Sequence, residues 1–222
     1  HFILVLDDYH LINTASIHQS LVFFLDNLPQ NIHLIITTRT TPPLQIAKLR
    51  ARNQTIEIQS KDLRFNLDEV SQFLNQVRKI KISDADIREL NQRTEGWIVG
   101  LQLAALSFDN QRTSSNIISD FTGDHRFVAD YLVDEVLNRQ PEEIQLFLLK
   151  TAILDRMCAE LCDTVLEISN GQTILEILEK SNLFIVQLDS KREWYRYHHL
   201  FSEMLQTRLG QRFKKEISSL YF

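Results

Sequence analysis

The chain has 222 residues, of which 44% are hydrophobic and 24% charged, with a net charge of -5. That balance describes an ordinary globular protein, and it argues against disorder and against a surface that holds nucleic acid by bulk charge. No apolar run approaches the ~18–20 residues of a membrane span, and on a prior of ~100–200 residues per domain the chain holds one to three compact units.

The first stretch, Phe2-Ile3-Leu4-Val5-Leu6-Asp7-Asp8, sets five large apolar residues before two acids. A short continuous apolar run predicts a fully buried strand in a parallel sheet covered on both faces. Ligands of such sheets sit beyond the carboxyl ends of the strands, so Asp7 and Asp8 stand where Mg²⁺ and its phosphates would be held. A strand that simply ends in solvated acids explains the same residues. The run begins directly after His1, which predicts a preceding portion that supplies neighbouring strands.

A helix is predicted over Ser16–Asn27, ending before Pro29, and a second apolar strand over Ile32–Thr38, followed by Arg39. Strand, helix, strand makes a βαβ unit and requires parallel pairing. Asp7, Asp8 and Arg39 then leave the sheet at one edge, where acids can meet a cation and a guanidinium a terminal phosphate. Arg39 paired with a surface acid is the plainer alternative. A short helix at Leu44–Arg52 and a last strand at Thr55–Ile58 complete this part.

From Asn66 the pattern turns helical. Asn66 and Glu69 form a capping box ahead of Val70, Phe73, Leu74 and Val77, and Ser83 caps the helix that carries Ile87 and Leu90. Gly96 interrupts, and Trp97–Leu106 makes another helix. That helix has no Lys or Arg, so it is a core element and not a DNA-reading one. Ser107–Thr113 reads as a linker. Helices follow at Phe127–Leu137, Pro141–Leu149, Ala159–Leu166 and Gln172–Asn182. A hairpin then pairs Leu183–Leu188 with Trp194–His198. Helices followed by a hairpin predict a winged helix. The helix before the wing carries Glu176, Glu179 and Lys180, too acidic for phosphate contacts, so an intramolecular docking role is expected. His198 and His199 cannot readily share one metal ion, because neighbouring strand residues point to opposite faces. Leu200–Leu209 is an amphipathic helix, and another helix begins at Phe213. Cys158 and Cys162, four apart, suit neither a closed zinc site nor a disulfide, so reduced thiols in the cytoplasm are expected.

The fold class expected is mainly α with an incomplete parallel α/β part. Residues 1–60 would be the later part of a nucleotide-binding α/β domain, 61–112 a small helical domain, 113–212 a winged helix, and 213–222 the start of a further helical region.

Phe2–Asp8, Leu34–Arg39 with Thr40-Thr41-Pro42-Pro43, Arg93-Thr94-Glu95-Gly96-Trp97 and Trp194-Tyr195-Arg196-Tyr197-His198-His199-Leu200-Phe201 occur in that order. Together they resemble the STAND nucleotide-switch proteins, closest to the bacterial transcription activators of the MalT (LuxR-type) group. The resemblance implies that Asp7 holds Mg²⁺ mostly through water, that Asp8 polarises the hydrolytic water, and that Arg39 reads the terminal phosphate. It places Gly96 near the adenine, although Ile98 stands where the family has proline. It gives the contact with ADP phosphates to His198 or His199, with His198 favoured.

The family's Gly-x-x-x-x-Gly-Lys-Ser/Thr phosphate loop does not occur in the 222 residues. No ATPase activity and weak nucleotide binding at best are therefore expected of this chain alone. For an intact protein the resemblance implies a slow ATP/ADP switch with Mg²⁺ that self-associates in the ATP state. DNA contact would come through a separate domain, and inducer sensing through helical repeats. The alternatives are a turnover AAA+-like ATPase and a helical interaction module without nucleotide function.

Overall fold

The computed structural model describes residues 1–80, 82–110 and 121–212, with the backbone alone at 109 and 110. The chain divides into two compact units: His1–Gln59 with Lys180–Asn182, and residues 60–179 with those described from 183 onward.

In the first unit, β1 (Phe2–Leu6) and β2 (Ile32–Ile36) pair in parallel, with Leu4 opposite Leu34 and Leu6 opposite Ile36. Helix α1 (Ala15–Asp26) is the crossover between them, and α2 (Ile46–Ala51) follows. The expected βαβ order and parallel pairing are therefore present. The expected burial is not. Phe2 is 69% and Val5 54% exposed, and the buried apolar residues of this unit are Tyr9 and Leu44. Two strands and one crossover helix enclose too little volume to cover both faces of a sheet. Thr55–Ile58 forms no strand, and Ile56 is 92% exposed. That segment is tied back by a side-chain pair, Arg50 to Glu57 at 2.8 Å, and not by a ladder.

The second unit is helical. Helix α3 (Leu67–Gln72) begins at the predicted capping box: the Glu69 amide donates to Asn66 Oδ1 at 3.0 Å and the Asn66 amide to Glu69 Oε2 at 2.9 Å. Its continuation, Phe73–Val77, is a π-helix. Helix α4 (Asp84–Thr94) is capped by Ser83, and α5 spans Ile98–Asn110, so Ser107–Asn110 of the expected linker is helical. The rest of that linker lies outside the described residues.

Helix α6 (Arg126–Leu132) passes into a second π-helix, Val133–Leu137, where the Asn138 amide reaches back five residues to Val133 O. Then come α7 (Glu142–Thr151), with Pro141 at its cap position, α8 (Ala159–Leu166) and α9 (Gly171–Lys180). β3 (Ile185–Gln187) and β4 (Tyr195–Tyr197) form the antiparallel wing, and α10 (His199–Arg212) closes the described chain. Met157 adds a third edge by exchanging two backbone hydrogen bonds with Tyr195 at 2.9 Å each. The helix expected from Phe213 lies outside the described residues.

One core runs through this unit. Leu74 and Leu90 belong to it, as do Leu101, Leu132, Phe147, Leu175, Phe201 and Leu205. Burying each of these side chains contributes roughly 1.5–3 kcal/mol, which is what holds α3–α5 and the wing-bearing segment as one body.

Candidate functional site

One group of candidate residues lies where β1 and β2 end. The ladder continues one step beyond the strands, with Thr37 N–H to Leu6 O at 3.0 Å and Tyr9 N–H to Thr37 O at 2.9 Å. Thr37 then organises both acids. Its hydroxyl donates to Asp7 Oδ1 and accepts from the Asp8 amide at 3.0 Å. Asp8 adopts a left-handed backbone, φ 51°. The Asp8 carboxylate is largely solvent-exposed and lies 3.8 Å from His10 Nδ1. Arg39 follows β2 at the same edge and is exposed. Parallel pairing thus puts these three residues at one edge of the sheet.

This edge supplies hard carboxylate oxygens, the donor type that Mg²⁺ takes. Among the described residues no group of three or more His, Cys, Asp or Glu gathers as a metal cage. A cation here would keep waters and phosphate oxygens as its other ligands, which fits Mg²⁺ better than zinc. Beside the edge lies a cavity of about 190 Å³, lined among others by Tyr9, His10, His18, Thr38 and Thr40, in which the Tyr9 hydroxyl and His18 Nδ1 share a 2.7 Å hydrogen bond.

The other candidates lie in the second unit. His198 is 4% exposed. Its ring packs edge-to-face against both Trp97 and Phe184, at centroid distances of 6.0 and 5.7 Å, and those two rings meet each other at 5.0 Å. Its amide donates to Phe184 O at 2.8 Å, and Nε2 donates to Thr94 O at 2.9 Å. A carbonyl can only accept, so Nε2 carries the proton and the neutral ring leaves Nδ1 bare. Nδ1 is buried and has no hydrogen-bond partner among the described residues. Phe184 itself has φ 52°, an unusual backbone for a bulky side chain. His199 is different: it begins α10 and its side chain is 58% exposed.

Gly96 makes the turn between α4 and α5 at φ 71°. A Cβ there would lie 2.3 Å from Phe65 O, and the Phe65 amide donates to Gly96 O at 2.9 Å. Only glycine permits both the backbone angle and this approach.

The residue that sequence reasoning passed over is Glu95. It also has a left-handed backbone, φ 49°. Arg196 grips its carboxylate with two bonds of 2.7 and 3.0 Å, Arg64 adds one of 3.1 Å, and the His199 amide another of 3.1 Å. Burial would raise its pKa, but the Arg196 hydrogen bonds, the neighbouring His198, the His199 amide and the Arg196 charge overcome that and hold it at about 2. Glu95 and Arg196 both stand inside the two strings that carry the family resemblance, and that was the one available signal. Their pairing across 101 positions was invisible there.

On α9, Glu179 faces the wing, where it takes the Tyr195 hydroxyl at 3.3 Å and Arg192 at 3.4 Å. Glu179, one of the two acids of this helix, is therefore engaged within the domain.

Residues 133–217 match the MalT winged helix domain. Across 98% of its length the chain is 37% identical to the HTH-type transcriptional regulator MalT of Yersinia enterocolitica, and 37% identical to that of Yersinia pestis. The chain is MalT-like. It spans 24% of the length of those curated relatives. A Walker-type ATPase of Pyrococcus abyssi shares the fold, with a TM-score of 0.63 over 93% of this MalT-like chain and 63% of its own, at 14% identity. No helix of the described residues is long and apolar enough to cross a membrane.

Proposed function

We propose that this MalT-like chain is the nucleotide-reading portion of an ATP/ADP-switched transcription regulator that works in the cytoplasm and couples nucleotide state to self-association. One observation carries the reading. Two acids and an arginine follow the carboxyl ends of adjacent parallel strands, where α/β sheets bind their ligands. In this reading Asp7 is the metal-side residue, acting mostly through water, and Asp8 orients the attacking water. Arg39 reads the terminal phosphate. The bound Mg²⁺ would supply charge neutralisation at the phosphates. Gly96 shapes the turn assigned to the adenine side, and His198 takes the contact with ADP phosphates. Catalysis is slow because a switch requires long-lived states, and each nucleotide acts through its differential affinity for them. DNA contact and inducer sensing are assigned to segments outside these 222 residues.

The test uses the intact protein with ATP or ADP and Mg²⁺, with assembly followed by light scattering. ATP is expected to drive self-association and ADP to prevent it. Asp7→Ala and Arg39→Ala proteins are expected to lose the difference. Normal switching in those variants would overturn the reading. Rapid ADP release with steady turnover would favour a motor-type ATPase instead.

A further inference from the structure

Two pairs of adjacent residues grip each other in the second unit. Thr94 offers its carbonyl to His198 Nε2 at 2.9 Å, while Glu95 offers its carboxylate to the His199 amide at 3.1 Å. Arg196 and Arg64 converge on the same carboxylate, whose side chain is only 8% exposed. The turn that presents the Thr94 carbonyl contains two consecutive left-handed residues, Glu95 and Gly96. For Glu95 that backbone is unfavourable on its own and needs surrounding contacts to persist. The four donors to Glu95 are those contacts.

We propose that Glu95 is a positioning residue for His198: it locks the Thr94–Gly96 turn so that the Thr94 carbonyl holds the imidazole in its Nε2–H form and leaves Nδ1 as the free ring nitrogen. The assignment of His198 to nucleotide phosphates rests on the function proposed above; the positioning itself rests on geometry alone. It also specifies what Nδ1 offers. A bare Nδ1 accepts hydrogen bonds, so an anion can be bound there only if the ring gains a proton. Glu95 is the acid beside that ring, with Arg64, Arg196 and His199 as the cationic and titratable groups around the carboxylate. Phe184 and Trp97, the other ring neighbours, are uncharged.

The experiment is histidine-selective ¹⁵N NMR on the full chain, with the His198 signals assigned through His198→Gln. The native protein is expected to show one Nε2–H tautomer with slow exchange of that proton. Glu95→Gln keeps the shape but removes the charge. It is expected to accelerate the exchange about tenfold or more and to mix the tautomers, with Glu95→Asp in between. Asp163→Ala loosens the same unit at the α8–α9 junction, where Asp163 Oδ1 accepts the Gly171 amide at 2.8 Å, and serves as the control. If Glu95→Gln leaves the His198 signals unchanged, or if Asp163→Ala moves them as much, Glu95 does not position His198. ADP affinity of the intact protein is then compared. Disturbed His198 signals with unchanged ADP affinity would uphold the positioning and remove His198 from the nucleotide site.

Discussion

His198 Nε2 donates to the carbonyl oxygen of Thr94 at 2.9 Å, across 104 positions of sequence. That oxygen also accepts the Trp97 amide at 2.8 Å, so one carbonyl ties the α4–α5 turn to the end of the wing. Replacing His198 with alanine removes a packed ring and this bond together. His198→Ala is expected to cost about 2–4 kcal/mol, read by urea unfolding. A loss below about 0.5 kcal/mol, the range of a neutral surface change, would mean that the ring is not packed as described.

Two groups of opposite kind contribute to the pH dependence of stability. Burial pushes His198 below its ordinary 6.5, with Glu95 partly offsetting the shift. The unfolded chain therefore gains the proton first. This contribution is full above pH 6.5 and drains as the pH falls through 6.5 toward the lower folded value. Glu95 has its folded pKa depressed from 4.5 to about 2. Its contribution is present above pH 4.5 and is lost as the pH falls toward 2. Melting temperatures between about pH 8 and about pH 2.5 are expected to decline in two stages. His198→Gln should flatten the upper stage and Glu95→Gln the lower one.

Gly96 combines φ 71° with a backbone oxygen 2.3 Å from where a Cβ would stand. Because the obstructing atoms belong to the Phe65 backbone, no rotamer change relieves the clash. Gly96→Ala is expected to cost about 2–4 kcal/mol by thermal unfolding, well above an ordinary loop substitution.

Thr37 holds the Asp7 carboxylate and the Asp8 backbone amide through one hydroxyl. Thr37→Val keeps the shape of the side chain and removes both bonds. Only the bond to the Asp7 carboxylate reaches a proposed metal-side oxygen, and one such bond is worth about 0.5–1.5 kcal/mol, so Mg²⁺-dependent ATP affinity of the intact protein is expected to fall about 3–10-fold. Affinity without Mg²⁺ should change less, because the variant disturbs only the acids. Equal losses with and without the metal would remove Thr37 from this role.

Local rules carried much of the fold. The capping box at Asn66–Glu69, the Ser83 cap, the parallel order of Phe2–Leu6 and Ile32–Ile36, and the hairpin around Asp189 all depend on residues close in sequence. So does the gathering of Asp7, Asp8 and Arg39, since βαβ topology alone sends both strand ends to one edge. Tertiary structure decided what local pattern could not. Phe2 and Val5 read as buried because apolar runs usually are, yet burial depends on what covers a face, and the described residues do not cover this one. Thr55–Ile58 has strand composition, but a strand exists only with a hydrogen-bonding partner.

The same holds at the opening strand. Its sequence by itself determined where the acids stand and which edge Arg39 shares. Only the folded chain decided that one Thr37 hydroxyl binds the Asp7 carboxylate and the Asp8 amide, that His198 turns inward while His199 turns out, and that Glu95 meets Arg196. These pairings join residues far apart in sequence. They arise from packing around a shared core, a constraint that no periodicity or spacing along the chain encodes.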